Sequence, residues 1–157
     1  MKEIKLTQNK VAIVDDEDFI YLSKHKWCCG DGYAQRRNTI ANSKSTAWKM
    51  HWEIMGKPEK GYNIDHINGD KLDNRRCNLR VCSGTENIRN RKTHSNNKSG
   101  YKGVWWRKDR HIWNAKIKVD DRIIHLGQFK NKEDAAIAYN NAAIKYHKKF
   151  AKLNTIQ

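Results

Sequence analysis

No stretch of the 157-residue sequence approaches the roughly 20 consecutive apolar residues that a helix needs to cross a bilayer. The amino terminus, MKEIKLTQNK, is polar from its first residues. That pattern argues against a membrane-spanning protein, and a soluble, intracellular chain is expected, cytoplasmic in its cell. Cysteine is scarce as well, with four residues at Cys28, Cys29, Cys77 and Cys82. Structural zinc sites pair cysteines two to four residues apart, whereas Cys28 and Cys29 are adjacent, so reduced, half-buried thiols are the better reading. Acidic residues are in deficit, 17 against 32 lysines and arginines, for a formal charge of +15. A polyanionic partner follows, with nucleic acid the commonest soluble one and a membrane surface the weaker alternative. There is a single proline, Pro58, and no repeat or low-complexity tract.

The length fits one ordinary domain or two small ones. Lys92 to Gly100, KTHSNNKSG, carries no apolar side chain and has the composition of a linker. The expected organisation is a domain over 1–92, a linker over 93–100 and a second domain over 101–157. Both parts are cationic, so both could touch the same polyanion.

In the first part, IKLTQNKVAIVD reads as a hairpin turning at Gln8-Asn9, with Ile4, Leu6, Val11 and Ile13 on its apolar side. DDEDFIYLSKHKW favours a short helix opened by Asp15 to Asp18. GYAQRRN is an expected strand and TIANSKS, residues 39–45, a polar turn. AWKMHWEIMG reads as either a buried helix or a strand, with helix preferred and Gly56 as its stop, and Pro58 lies in the loop beyond. In the second part, Gly103 to Arg107, Ile112 to Val119 and Arg122 to Phe129 are rich in β-branched and aromatic residues, which predicts a three-stranded antiparallel meander. The helix that follows is expected to start at an N-cap, Asn131, and to lay Ala135, Ala138, Ala142 and Tyr146 against the sheet.

Asp65 and His66 end a strand-like segment, YNIDHI, and a second, NLRVC, follows the loop NGDKLDNRRC. A two-strand ribbon with a long loop fits that pattern. Ser83 and Glu86 then form an S-x-x-E capping box, so a helix should begin there, with Asn87 near its first turn and its positive dipole end available to a phosphate. Neighbours in a regular strand face opposite ways, so Asp65 and His66 can meet one phosphate only at a strand end or bulge, and irregular backbone is expected there.

This series, with His51, Asp65-His66, Asn68-Gly69, Asp73-Asn74-Arg75, Asn78-Leu79-Arg80 and Glu86-Asn87 at their spacings, resembles the HNH endonucleases, and within them the phage homing enzymes. The resemblance covers about residues 48 to 92 closely. It implies a ββα-metal fold around one divalent ion, Asp65 and Asn87 as metal ligands, His66 as general base and Asn78 as a brace of the loop. Asn87 stands where many members have a histidine. The chemistry is coherent without the name: phosphodiester hydrolysis needs an activated water, which a neutral imidazole supplies, and charge stabilisation, which a hard cation supplies. Aspartate and asparagine are oxygen ligands that suit Mg²⁺ or Mn²⁺. His51 is expected to pack beside the site, and Arg75, Arg76, Arg80, Arg89 and Arg91 to hold phosphates.

The second part also resembles a family, the Apetala-type or ethylene-response-factor DNA-binding domain. The matching elements are Tyr101-x-Gly103-Val104, Trp113-x-Ala115-x-Ile117, Leu126-Gly127-x-Phe129, Glu133-x-Ala135-Ala136-x-Ala138-Tyr139, Ala142-Ala143 and Leu153-Asn154. That family lays its sheet into the major groove. Alternation assigns Trp105, Arg107, Asn114, Lys116, Lys118, Ile123 and His125 to the outward face, with Ile123 and His125 departing from the family's usual contacts.

The sequence therefore reads as α+β, with a ββα-metal nuclease domain followed by a three-stranded antiparallel sheet packed on one carboxy-terminal helix. The expected function is a metal-dependent endonuclease acting on double-stranded DNA, monomeric, and working in a bacterial host cell if phage-encoded. The alternatives are a DNA-binding protein with an inactive nuclease site and an RNA-directed nuclease.

Overall fold

A computed structural model of the chain describes residues 1–38, 46–91, 93 and 96–156. The turn expected over 39–45, and residues 94 and 95 of the expected linker, lie outside the described residues. The chain divides into two compact units, Met1–Gly84 and Thr85–Gln157. No helix among the described residues is long and apolar enough to cross a membrane.

The first unit opens with the hairpin β1 (Lys2–Lys5) and β2 (Val11–Val14). Gln8 and Asn9 both take left-handed backbone at its tip, a conformation that asparagine tolerates better than most residues. Ile4 pairs with Ala12 and Lys2 with Val14, so Ala12 and Val14 are buried while Val11 is exposed. The expected inward pair, Val11 and Ile13, is thus displaced by one residue, which in a strand exchanges the faces. Helix α1 (Asp16–Leu22) follows, with three acidic residues in its first turn, where the helix dipole favours them.

A three-stranded antiparallel sheet then forms from β3 (Cys28–Gly30), β4 (Tyr33–Asn38) and β5 (Thr46–Lys49), with β4 central. The segment that reads as helix or strand is both: residues 46–49 pair with β4, and α2 (Met50–Met55) starts at Met50. Gly56 ends α2 with a φ of 79°. The ribbon β6 (Tyr62–His66) and β7 (Leu79–Ser83) completes the unit. One core, which includes Leu22, Trp27, Ala34, Met50, Ile54, Ile64 and Leu79, joins the hairpin, helices, sheet and ribbon.

Helix α3 (Gly84–Asn90) starts directly after Ser83. From Thr85 it belongs to the second unit, so the division falls ahead of the polar stretch 93–100. The cause is visible in its side chains: Arg89 pairs with Asp120 at 2.8 Å, and Lys102 Nζ donates to the carbonyls of Arg89 and Arg91.

The second unit is an antiparallel meander of β8 (Val104–Arg107), β9 (Ile112–Val119) and β10 (Arg122–Phe129), with β9 central, followed by α4 (Lys132–His147). Ala115 and Ile117 of β9 are buried in clusters with Ala135, Ala136, Tyr139, Ala142 and Ala143 of α4. The buried stripe of α4 is thus wider than the four residues that spacing picked out, with Ala136, Tyr139 and Ala143 at its centre. Gly103 takes a φ of 76°, and a β-carbon there would collide with the Tyr139 ring and the Lys116 carbonyl, so only glycine fits. Asn154 fixes the end of the chain by accepting from Lys102 N at 2.7 Å and donating to its carbonyl.

Candidate active site

His66 is the last residue of β6 and is buried. Its ring lies 5.1 Å from that of His51 on α2 and 5.9 Å from that of Tyr33 on β4, centre to centre. Nε2 faces Asn74 Oδ1 at 3.4 Å. Because the Asn74 amide nitrogen donates to the Leu72 carbonyl, its oxygen is the end turned to His66. A proton on Nε2 satisfies that contact and leaves the basic lone pair to Nδ1. Burial pushes the His66 pKa down, opposed by the Asn74 contact and by Asp65, Asp70 and Asp73. His51 falls further, to about 3, first through burial and then through the proximity of His66 and Lys49. Its Nδ1 is buried with no hydrogen-bond partner among the described residues. The neutral imidazole is therefore the favoured form of both rings at neutral pH.

Pairing stays regular through Asp65↔Arg80 and His66↔Leu79, the last pair of the ribbon, so the dipeptide carries no bulge and stands instead at the strand end. Irregularity begins after His66, where Gly69 N donates to the His66 carbonyl and Gly69 takes a φ of 78°. Directly across the ribbon, Arg80 Nη2 and Nε lie 2.7 and 3.0 Å from Asp65 Oδ2.

The loop between β6 and β7 is held by its own polar side chains. Asn78 accepts from Asn68 N at 3.0 Å and donates to the Asp73 carbonyl at 2.7 Å, bracing both ends of the loop. Asn68 Nδ2 donates to Asp73 Oδ2, and Arg75 makes a two-pronged contact with the same carboxylate. That guanidinium holds the Asp73 carboxyl below the usual carboxylate range. Arg76 forks onto Asp18 of α1 at 2.9 and 2.7 Å. The loop also docks on β2, through Ile13 N to Leu72 O and Asn74 N to Ile13 O. Three arginines of the motif thus meet three buried aspartates, Asp18, Asp65 and Asp73. Arg89 is likewise engaged by Asp120, while Arg91 is exposed.

This ribbon, loop and following helix have a counterpart among known proteins. Residues 46–89 match the HNH endonuclease family. The chain is also similar to Protein 3.8 of Escherichia phage T7, 40% identical over 72 residues, which are 45% of this chain and 60% of that protein. The chain therefore spans about 60% of the length of that curated relative. No solved structure matches the chain.

Within the HNH segment, Asp65, His66 and Asn78 belong to the first unit, and Asn87, half-buried on α3, to the second. Among the described residues no group of three or more His, Cys, Asp and Glu gathers as a metal cluster. The four cysteines carry free thiols. The chemistry of the donors nevertheless fits a hard cation. Mg²⁺ characteristically keeps several waters and takes only one or two protein carboxylates plus substrate phosphate, and Asp65 and Asn87 offer oxygen alone. Arg80 is the feature that spacing could not reveal, since a cation arriving at Asp65 competes with its guanidinium.

The HNH match ends at residue 89, ahead of the second sheet. There, strand pairing sets Trp105 beside Asn114, Ile123 beside Lys118 and His125 beside Lys116, all on the face turned away from α4. Lys116 Nζ lies 5.0 Å over the Trp105 ring, and Trp105 meets His125 at 6.4 Å. A bulge between His125 and Gly127 brings Gln128 opposite Asn114, adding a polar residue to this face that simple alternation missed. Asn114 is 7% exposed and its amide nitrogen has no partner among the described residues. Arg107 pairs with Asp109, and Lys118 lies 3.7 Å from Asp121.

Proposed function

We propose that the protein is a metal-dependent endonuclease that hydrolyses phosphodiester bonds of double-stranded DNA, of the phage homing type. The observation that carries this reading is a buried His66 faced by Asn74 and set beside His51, in the segment that matches the HNH family. His66 Nδ1 takes the proton of the attacking water, while Asn74 holds the opposite nitrogen in its protonated form. Asn78 keeps the loop closed so that this geometry is set before substrate arrives. Asp65 and Asn87 would hold one Mg²⁺ or Mn²⁺, which supplies charge stabilisation at the phosphoryl oxygens when bound. Residues 101–157 hold the duplex through the outward sheet face, with Trp105, Arg107, Asn114, Lys116, Lys118 and His125 presented to the groove, as the resemblance to the Apetala-type domain implies. Tethering the two activities raises the effective concentration of the cutting site on bound DNA.

The experiment is plasmid relaxation with Mg²⁺ or Mn²⁺. His66→Ala is expected to lower the rate by about 10²–10⁴-fold, and chelator to abolish cutting. Equal rates for wild type and His66→Ala, unaffected by chelator, would overturn the nuclease reading. The rival, a DNA-binding protein with an inactive site, draws on the Arg80 contact that occupies Asp65. It predicts duplex binding with no metal-dependent relaxation.

A further inference from the structure

The arginines of the HNH loop are committed to aspartates, but two lysines beside the same site are not. Lys49, the last residue of β5, and Lys71, in the loop after β6, each place Nζ 4.3 Å from the centre of the Tyr33 ring. That ring in turn lies 5.9 Å from His66 and 5.4 Å from His51. Neither lysine forms an ion pair among the described residues, in contrast to Arg75, Arg76 and Arg80.

The arrangement is built rather than incidental. Lys71 Nζ donates to the Asp31 carbonyl at 3.1 Å, which fixes its direction. Its stem crosses the turn at Gly32, where a β-carbon would come within 3.3 Å of Lys71 Cδ. Lys49 is half-buried and also lies 5.3 Å over the Trp52 ring. Burial pushes its pKa down, the Lys71 charge pushes it further, and the Asp31 carboxylate opposes both from beyond ion-pair range. Two ammoniums are thus held against one aromatic ring, their mutual repulsion only partly offset by Asp31. An anion relieves that cost.

The two 4.3 Å contacts bring both ammoniums to the one ring, and a phosphate whose oxygens accept a charged hydrogen bond of roughly 2.8 Å at each end bridges ammoniums up to about 8 Å apart. Lysine suits this role as a compact point charge with rotatable donors. We propose that Lys49, Tyr33 and Lys71 form a clamp for a single backbone phosphate of the DNA strand lying at His66. The proposal rests on the nuclease reading for its ligand and names a phosphate contact made by lysines that carry no aspartate partner among the described residues.

The test is the salt dependence of binding, measured with the full chain and a short duplex of arbitrary sequence in chelator, so that no cutting intervenes. Losing one phosphate contact lowers the slope of log K against log salt by about 0.9. Lys49→Gln with Lys71→Gln is expected to lower it by that amount, and arginine at both positions to keep it. Lys71→Gln alone, at an exposed position that contributes little packing, is expected to weaken binding at low salt. An unchanged slope in the double variant, or a fall of about 1.8 that marks two separate phosphates, would sink the clamp. Unchanged binding of Lys71→Gln would sink it as well. Relaxation by His66→Ala is scored separately: cutting at the wild-type rate removes the nuclease reading, whereas an inactive His66→Ala with an unchanged lysine slope removes only the clamp.

Discussion

Arg80 and Asp65 face each other across the β6–β7 ribbon, with the guanidinium 2.7 Å from Asp65 Oδ2 and both side chains largely buried. The residue proposed to hold a cation is thus held by an arginine in this structure. Exchanging one for the other is an electrostatic substitution at the same carboxylate.

Arg80→Ala is therefore expected to cost about 3–5 kcal/mol in urea unfolding, because it strips a buried carboxylate of its guanidinium. Millimolar Mn²⁺ should raise the melting temperature of Arg80→Ala by more than that of wild type, since the cation no longer competes with the Arg80 guanidinium. Equal shifts in the two proteins would count against Asp65 as a ligand. Adding Asp65→Asn should remove the extra shift.

Acid is expected to destabilise the first unit through His51. Its folded pKa of about 3 lies below the ordinary value of 6.5, so the unfolded chain binds the proton more readily than the folded one. The stabilisation is complete above pH 6.5 and is lost as pH falls toward 3, at up to about 1.4 kcal/mol per pH unit. The depressed His66 contributes in the same direction. Urea midpoints measured across that window should decline in wild type and decline less steeply in His51→Gln; parallel curves would refute the assignment.

Asn78 carries two hydrogen bonds that close the loop, so Asn78→Ala should cost about 1–3 kcal/mol, the penalty for leaving polar partners unsatisfied. Asn78→Asp keeps the acceptor but turns the donor to the Asp73 carbonyl into a charge, and is expected to be worse. A variant as stable as wild type would mean that the loop does not depend on this brace.

What the sequence disclosed follows the kind of interaction involved. The meander was legible nearly to the residue, because Ile112–Val119 and Arg122–Phe129 alternate between a packed face and a wet one. The first hairpin was legible as a hairpin, but its register was not: Ile13 and Val14 are equally apolar, and only the geometry of the Gln8-Asn9 turn decides which points inward. Strand β3, three half-buried residues, offers no period to read. In the site, the spacing located Asp65, His66 and Asn78, all local to one ribbon. It gave no sign of Arg76 pairing with Asp18 across 58 residues, or of Lys49 and Lys71 meeting on Tyr33, because those contacts exist only after separate elements pack. Arg75, Arg76 and Arg80, which the sequence assigns to phosphates, each also pair with a buried aspartate, and that second partner has no signature in the spacing.

The second sheet supplies the last prediction. Lys116 and Lys118 stand on the face turned away from α4, both exposed. If that face lies on DNA, Lys116→Gln with Lys118→Gln should weaken binding to all duplexes alike and flatten the salt slope by about 2, without changing the melting temperature. Trp105→Ala differs in kind, because its ring supports Lys116 and meets His125, so its loss should disturb discrimination between duplexes as well as affinity. Fluorescence anisotropy with competing duplexes separates the two effects. Full binding by the double lysine variant would place the DNA-holding surface elsewhere on the chain and leave the +15 charge to act through other lysines.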